Sequence, residues 1–293
     1  MRCKGIILAG GFGSRLYPIT KVYSKQLVAV YDKPLLYYPL TTLIECGINE
    51  ILIITDKDTL PLYKQLFNNS DLAGLNLNFA LQHKPNGIAE AFIIAEEFIG
   101  NDNVCLILGD NIFYGVDNCF YDIIHNPRKD KASNYIFALQ VKHPSHYGVV
   151  RFSSDNQPIE IVEKPATFIS YYAVPGIYFY DNDVISIAKS LQPSKRNELE
   201  ITDVNNILLK QNKLNVSVLN NSVTWLDCGT PKSLLEASNF IASIEERHNK
   251  KIGCYEEAAY RMGLINKEQL LSLSNNLPEC NYKEYLSNIG RGN

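Results

Sequence analysis

The chain is 293 residues long, contains seven cysteines and carries a formal net charge of −3 at pH 7. This length suits one large α/β domain with an extension, or two small domains, and allows a sizeable core. The absence of a polybasic run argues against a nucleic-acid partner and against an anionic membrane surface. The cysteines are odd in number and lack C-x-x-C spacing, which argues against a disulfide framework or zinc site and indicates the reducing cytoplasm.

The first residues predict a buried strand that ends in a glycine turn. An apolar run leads directly into Gly10, Gly11 and Gly13, and it is too short for a signal peptide or a membrane span. Without a Cβ, glycines let the backbone approach a ligand, and their N–H groups can cradle phosphate oxygens. Arg15 and Lys25 add two cations, so the turn predicts a polyphosphate site.

Two commoner phosphate motifs do not fit this turn. It lacks the Gly-Lys-Ser/Thr end of a Walker loop and the third glycine of a Rossmann fingerprint. A glycine turn at a strand end equally often only shapes a loop, so the binding interpretation needs support from the rest of the chain.

Strands and helices alternate through the first part of the chain. An apolar stretch that opens at Lys33-Pro34 and ends before Gly47 predicts a helix reaching residue 44. The pattern then predicts strands at 50–55, 75–82 and 104–108, with helices at 59–67 and 88–99 between them. Such alternation indicates a mostly parallel sheet with helices on both faces.

Beyond Gly109 the pattern favours consecutive strands. These are predicted at 135–141, 148–152, 159–162 and 173–180, with a turn at 154–156. They indicate an antiparallel extension of the sheet. Later elements are helices at 183–191 and 200–211, strands at 214–219 and 223–226, and helices at 234–247 and 269–273. No linker or repeat divides the chain, which favours one compact body with a helical tail.

Two aspartates follow predicted strands. Ligands of open α/β sheets bind beyond the carboxyl ends of the strands, and Asp110 and Asp227 both stand at such positions. Each aspartate by itself would more often cap a turn or helix. Mg²⁺ is usually held by one or two carboxylates together with substrate phosphates, so the pair beside a polyphosphate turn predicts a magnesium site.

Nine ordered motifs carry a family resemblance. They are LAGGFGSRLYP (8–18), SKQL (24–27), DKP (32–34), LGDNIFYG (108–115), YGVV (147–150), EKP (163–165), GIYFY (176–180), ELEITD (198–203) and WLDCGT (225–230). With these motifs the chain resembles the glucose-1-phosphate thymidylyltransferases, a group of sugar nucleotidyltransferases. The resemblance implies a Rossmann-like α/β nucleotidyltransferase core over 1–230 with an antiparallel sugar-binding extension. It also implies a helical C-terminal extension over 231–293 that packs on this core.

The resemblance also implies a reaction. The dTMP group of dTTP passes to glucose 1-phosphate in one in-line displacement, giving dTDP-glucose and pyrophosphate, with Mg²⁺ as cofactor. Such chemistry depends on positioning and charge neutralisation rather than on a protein nucleophile. The implied setting is the first step of dTDP-L-rhamnose or deoxysugar biosynthesis, in a cytoplasmic homotetramer without a nucleic-acid or membrane partner.

Site residues carried over from the family fall into groups. Catalysis is implied for Arg15 and Lys25, and magnesium binding for Asp110 and Asp227. The nucleotide is assigned to Leu8, Gly10, Gly11, Gly13, Ser14, Arg15, Gln26, Gln82, Gly87 and Asp110, and the sugar phosphate to Tyr147, Gly148, Glu163, Lys164, Val174 and Arg196. Gln82 and Gly87 would recognise thymine, whose ring N–H and carbonyl suit an amide and a backbone group. Glu256, Glu257 and Arg261 lie in the helical tail, where their spacing favours i,i+4 helix pairs. The resemblance also implies a second nucleotide-sugar site near the tail, at a subunit contact.

Other functions remain open at this point. A uridylyltransferase, or a cytidylyl or adenylyl relative, would share the glycine turn and both aspartates and differ only in its base and sugar pockets. A non-catalytic nucleotide-sugar sensor is expected to lose Arg15, Lys25 or an aspartate, and all of these are present. A glycosyltransferase would favour an Asp-x-Asp motif where this chain has Asp110-Asn111-Ile112.

Overall fold

The computed structural model describes residues 2–11, 13–67, 74–116, 118–126 and 133–292. Its strands are β1 (Cys3–Leu8), β2 (Ala29–Val30), β3 (Lys33–Pro34), β4 (Glu50–Thr55), β5 (Asn76–Leu81), β6 (Asn103–Leu108), β7 (Asn111–Tyr114), β8 (Asn134–Gln140), β9 (Gly148–Phe152), β10 (Pro158–Glu163), β11 (Tyr172–Ala173), β12 (Ile177–Tyr180), β13 (Leu214–Val218) and β14 (Thr224–Asp227). Its helices are α1 (Tyr37–Glu45), α2 (Leu60–Leu66), α3 (Glu90–Ile94), α4 (Glu96–Ile99), α5 (Cys119–His125), α6 (Asp183–Ser190), α7 (Ile201–Lys210), α8 (Pro231–His248), α9 (Tyr255–Arg261), α10 (Lys267–Asn275) and α11 (Asn281–Arg291).

Four parallel strands form one half of the central sheet, in the order β6-β1-β4-β5. Side chains on both faces of β1, β4 and β6 are buried, as Ile6, Ile7, Ile53 and Ile107 show, whereas those of the edge strand β5 are exposed or half-buried. Helices cover both sides of parallel strands, which is why such strands are continuous apolar runs rather than alternating ones. The predicted parallel sheet is therefore confirmed.

The other half of the sheet is mainly antiparallel. β12 pairs antiparallel with both β6 and β8, and the sheet continues through β11 and β9 to β10. β13 adds a parallel pairing to β8. The predicted turn at 154–156 connects β9 to β10. The antiparallel extension predicted beyond Gly109 is confirmed.

Two predicted helices differ from the structure. The helix predicted from Lys33-Pro34 begins only at Tyr37, because Lys33–Pro34 pairs with Ala29–Val30 as a short hairpin. The helix predicted over 88–99 is divided into α3 and α4, because Ala95 between them has φ −90° and ψ 8°.

The sheet also contains departures from the predicted strands. The strand predicted over 173–180 is divided into β11 and β12, because the backbone between them turns to other partners. The N–H of Val174 donates to the Gly148 carbonyl (2.8 Å), and that of Gly176 donates to Asn111 Oδ1 (3.0 Å). β7 and α5 were not predicted, and β7 finds its strand partner, β14, far along the chain.

The C-terminal helices pack on the body of the protein. Ala258, Leu270 and Leu286 from α9, α10 and α11 lie in the same buried cluster as Ile7 and Ile107 of the sheet. Among the residues described, no helix combines the length and the apolar character needed to cross a membrane.

Candidate active site

The glycine turn lies where β1 and β6 end side by side. The N–H of Gly109 donates to the Leu8 carbonyl (2.9 Å), which joins the two strand exits. Gly11 and Gly13 have φ values of +108° and +55°, a backbone region that glycine adopts without strain. Thr20 Oγ1 donates to the Gly13 carbonyl (2.9 Å) and holds the far side of the turn. Gly10, Gly11 and Gly13 thus lie at the carboxyl edge of the sheet, as predicted.

The two predicted cations have different surroundings. Lys25 is only 7% exposed, and its ammonium group forms a salt bridge with Asp110. Arg15 is exposed, and its guanidinium lies over Gly229, where an added Cβ would stand 2.8 Å from Nη2. One cation is therefore bound within the site, while the other faces solvent at its mouth.

The two predicted metal ligands come together through a strand pair. β14 pairs with β7 so that Asp227 stands opposite Asn111, and the N–H of Cys228 donates to the Asp110 carbonyl (3.0 Å). Burial, and then the negative charge of Asp110, raise the pKa of Asp227, while the charge of Lys25 opposes this. Two mutually repelling carboxylates are a donor set that suits a divalent cation.

No group of three or more metal-ligating side chains occurs within the described ranges. Asp110 and Asp227 would offer two carboxylates, and substrate phosphates and water would fill the remaining positions. Mg²⁺ commonly binds in this way, so the residues present fit that ion.

A buried asparagine that the sequence analysis did not single out supports this pair. Asn111 is 2% exposed, and its Oδ1 accepts from Trp225 Nε1 (2.6 Å) as well as from Gly176. Its Nδ2 donates to Asp110 Oδ1 (2.8 Å), which orients the carboxylate. The Trp225 ring lies 4.7 Å, centre to centre, from Tyr147, whose pKa is raised to about 12 by burial and by the aspartates. The sequence feature that could have identified Asn111 is its position, since it is a polar residue directly after Asp110 in an apolar stretch.

The predicted base-binding residues follow β5. Gln82 is 6% exposed, and its Oε1 lies beside Gly10, 2.8 Å from where a Cβ would stand. Gly87 has a φ of +111°, and a Cβ there would lie 2.4 Å from the Leu199 carbonyl oxygen. Only glycine fits at this position without displacing the backbone.

Gln26 reaches the same edge from the segment after the glycine turn. Its Oε1 accepts from Ser24 Oγ (2.8 Å), and its Cγ lies 3.0 Å from where a Cβ on Gly109 would stand. Ser14, the next predicted nucleotide ligand, is exposed at the start of a 3-10 turn that also carries Arg15.

The predicted sugar residues lie together at the antiparallel end of this edge. Glu163 Oε2 accepts from Thr202 Oγ1 (2.6 Å), another residue to which the sequence analysis gave no role. A Cβ on Gly148 would stand 3.4 Å from the same carboxylate, and Val174 bonds to the Gly148 carbonyl. Lys164 Nζ lies 3.7 Å from Glu163 Oε1. The structure thus places a carboxylate, a cation and a close backbone approach in one small region.

Arg196 is surrounded by acidic groups. Its Nη1 lies 3.2 Å from Glu163 Oε1 and 3.7 Å from Glu200 Oε1, and its Nη2 bonds to Glu198. Burial lowers its pKa, but the bond to Glu198 and the neighbouring carboxylates outweigh this and raise it. A sugar phosphate must compete with three carboxylates for this guanidinium, so its role as a phosphate ligand stays a prediction.

A cavity of about 610 Å³ lies where the second nucleotide-sugar site was predicted. Glu257 and Arg261 line it and form a salt bridge with each other, and Tyr114 also lines it. Glu256 does not line this cavity, because it turns toward Tyr282, whose hydroxyl donates to it (2.5 Å).

Comparison with protein families matches residues 4–244 to the model described as nucleotidyl transferase. A protein named glucose-1-phosphate thymidylyltransferase from Neisseria meningitidis serogroup A is 46% identical over 283 residues, covering 97% of this chain and 98% of the relative. One of the same name from Mycolicibacterium smegmatis is 48% identical over 285 residues, covering 97% of each.

Solved structures resemble the fold as well. A Bacillus anthracis protein described as a glucose-1-phosphate thymidylyltransferase, in complex with sucrose, is 40% identical with a TM-score of 0.74. The match covers 81% of this chain and 94% of that one. A UDP-glucose pyrophosphorylase complexed with UDP-glucose is 25% identical with a TM-score of 0.72, covering 84% of this chain and 100% of that one.

Proposed function

The chain belongs to the nucleotidyl transferase family, as one of its glucose-1-phosphate thymidylyltransferases, and we propose that it joins dTTP and glucose 1-phosphate at the carboxyl edge of its sheet. The products are dTDP-glucose and pyrophosphate. The observation that carries this assignment is the meeting of Lys25, Asp110 and Asp227 beside the glycine turn.

The reaction needs no protein nucleophile. A phosphate oxygen of glucose 1-phosphate attacks the α-phosphorus of dTTP, and the bond to the pyrophosphate oxygen breaks on the opposite side. The backbone of Gly10, Gly11 and Gly13 holds the triphosphate, and the exposed guanidinium of Arg15 binds the phosphates to be released. Lys25, held by Asp110, neutralises charge on the α-phosphate as it develops.

Asp110 and Asp227 hold Mg²⁺ in this proposal. When bound, the ion supplies positive charge to the reacting phosphate oxygens. Burial and, after it, the negative charge of Asp110 raise the pKa of Asp227, and a divalent cation would relieve the repulsion between the two carboxylates. Asn111 keeps Asp110 turned toward the site through its amide N–H group.

The two substrates occupy opposite ends of the edge. Thymine lies against Gln82 and Gly87, next to the remaining nucleotide residues, Leu8, Ser14 and Gln26. The glucose phosphate lies against the antiparallel extension, where Glu163 accepts from sugar hydroxyls and Lys164 meets the phosphate. Its other contacts are assigned to Tyr147, Gly148, Val174 and Arg196.

The wider setting follows the same proposal. We assign the product to dTDP-L-rhamnose or deoxysugar biosynthesis, place the enzyme in the cytoplasm, and take its assembly to be a homotetramer. The cavity beside Glu257 and Arg261 is our candidate for a second nucleotide-sugar site.

A pyrophosphate-release assay tests the proposed function. With glucose 1-phosphate and Mg²⁺, dTTP should be the best nucleotide, and UTP about tenfold less efficient, because its uracil base lacks the methyl group of thymine. Asp110→Asn and Asp227→Asn should each abolish most turnover, and the double variant should be little worse, because a shared function is lost once. A preference for ATP or CTP would reject the base pocket, and turnover near wild type in both Asn variants would reject the metal site. A non-catalytic sensor would release no pyrophosphate with any pair.

A further inference from the structure

Glu90, the first residue of α3, binds two amide side chains at once. Its Oε2 accepts from Gln82 Nε2 (2.8 Å), and its Oε1 accepts from Asn86 Nδ2 (2.7 Å). Asn86 is itself fixed, because its carbonyl accepts from the N–H of Leu199 (2.6 Å). Both carboxylate oxygens are therefore engaged by a loop that another part of the chain holds in place.

This arrangement decides which end of the Gln82 amide faces the site. A glutamine side chain has one carbonyl oxygen, which only accepts, and one NH₂ group, which only donates. A carboxylate only accepts, so Gln82 must turn its NH₂ group toward Glu90. Its Oε1 then points to the glycine turn, beside Gly10. Because Gln82 is buried, reversing the amide would set two acceptors against each other and leave a buried hydrogen bond unmade.

A carbonyl oxygen in this position selects among pyrimidines. Thymine and uracil carry a hydrogen on ring nitrogen N3, which can donate to Gln82 Oε1. Cytosine has an unprotonated N3, which is an acceptor, so it would oppose that oxygen. A buried site that is built for a donor strongly rejects an analogue that lacks it.

We propose that Glu90 is a positioning residue for base specificity: by fixing the Gln82 amide it makes the site accept thymine and uracil and reject cytosine. This inference rests on the proposed function, in which Gln82 faces the base. Glu90 itself does not touch the substrate.

The test compares dUTP with dCTP, which share the same sugar and lack the methyl group, so that they differ only at N3 and C4 of the base. In Glu90→Gln, the neutral amide can both donate and accept, which frees Gln82 to present its NH₂ group to cytosine. We expect the ratio of kcat/KM for dUTP to that for dCTP to fall about tenfold. Glu90→Asp keeps an acceptor-only carboxylate, so it should lower both rates and retain the ratio. Glu97→Gln removes an exposed charge from the next helix and serves as the matched control.

Each outcome bears on one claim. Unchanged ratios in Glu90→Gln, with a wild-type melting temperature, would overturn the role of Glu90. Equal loss of the ratio in Glu90→Gln and Glu90→Asp would show a merely structural role and would overturn it too. If Glu90→Gln loses turnover, titration with dUDP and dCDP measures the same ratio by binding alone. If the wild-type enzyme does not prefer dUTP over dCTP, the base pocket of the proposed function fails instead.

Discussion

Lys25→Met should destabilise the protein as well as inactivate it. Lys25 is buried and paired with Asp110, and its charge also acts on Asp227. Removing one partner of a buried ion pair leaves an uncompensated charge, at a cost of about 3–5 kcal/mol. The Asp110 side chain is 19% exposed, and water screens part of its charge, so we expect a loss near the lower end, about 3 kcal/mol.

A second substitution separates the structural effect from the catalytic one. In Lys25→Met/Asp110→Asn the charge stranded at Asp110 is gone and only that of Asp227 remains, so about 2 kcal/mol of stability should return and the two effects should not add. Turnover should stay about a hundredfold below wild type, because both groups act on the reacting phosphates. Lys21→Met, at an exposed lysine nearby, is the matched control and should change stability by less than about 0.5 kcal/mol.

Two measurements decide the matter. Urea unfolding in EDTA, without substrates, gives the free energies of unfolding, and pyrophosphate release at saturating Mg²⁺ gives turnover. Additive losses of stability in the double variant would refute the ion-pair reasoning. Recovery of turnover together with stability would refute the catalytic role of Lys25.

Three further predictions address other parts of the molecule. Gly87→Ala should raise the KM for dTTP about tenfold or more, because its Cβ would meet backbone 2.4 Å away. Gly263→Ala is the matched control, because Gly263 has a φ of +71° but no atom lies within 4 Å of an added Cβ, so it should cost only about 1 kcal/mol of stability. An equal rise in the KM for dTTP in both variants would contradict the close-approach argument. Trp225 is the only tryptophan of the chain and packs against Tyr147, so its fluorescence should change on titration with dTDP-glucose and the signal should vanish in Trp225→Phe. Burial raises the pKa of Glu256, so the native state keeps this proton longer and stability should fall as pH rises above about 4.3. In Glu256→Gln the free energy of unfolding, measured with urea between pH 5 and pH 8, should fall less steeply with pH than in the wild-type protein. Parallel pH profiles in the two proteins would argue against this role of Glu256.

Local sequence pattern was sufficient for the parallel half of the sheet and for the shared edge at which its strands end. Strands β1, β4 and β6 are buried on both faces, so each is a continuous apolar run that can be recognised without its neighbours. The glycine turn after β1 needs positive φ angles, and glycine is the residue type that adopts them readily. Because parallel strands share one carboxyl edge, the pattern of strands was enough to bring Gly10 and Asp110 together.

Elements held by distant partners could not be predicted in the same way. The helix start at Tyr37 depends on the pairing of Lys33–Pro34 with Ala29–Val30. The break between β11 and β12 depends on Asn111, whose Oδ1 accepts a hydrogen bond from the N–H of Gly176. Such bonds join segments that only the folded chain brings together, so no window of sequence contains both partners.

The electrostatic state of the site was likewise decided by tertiary structure. A lysine and an arginine look alike in sequence as free cations, yet Lys25 is buried against Asp110 and Arg196 is surrounded by three carboxylates. The orientation of the Gln82 amide depends on Glu90, at the start of the helix that follows its loop. Residue type determines which charges and donors exist, but the distances that decide their partners arise only when the sheet, its loops and its helices pack together.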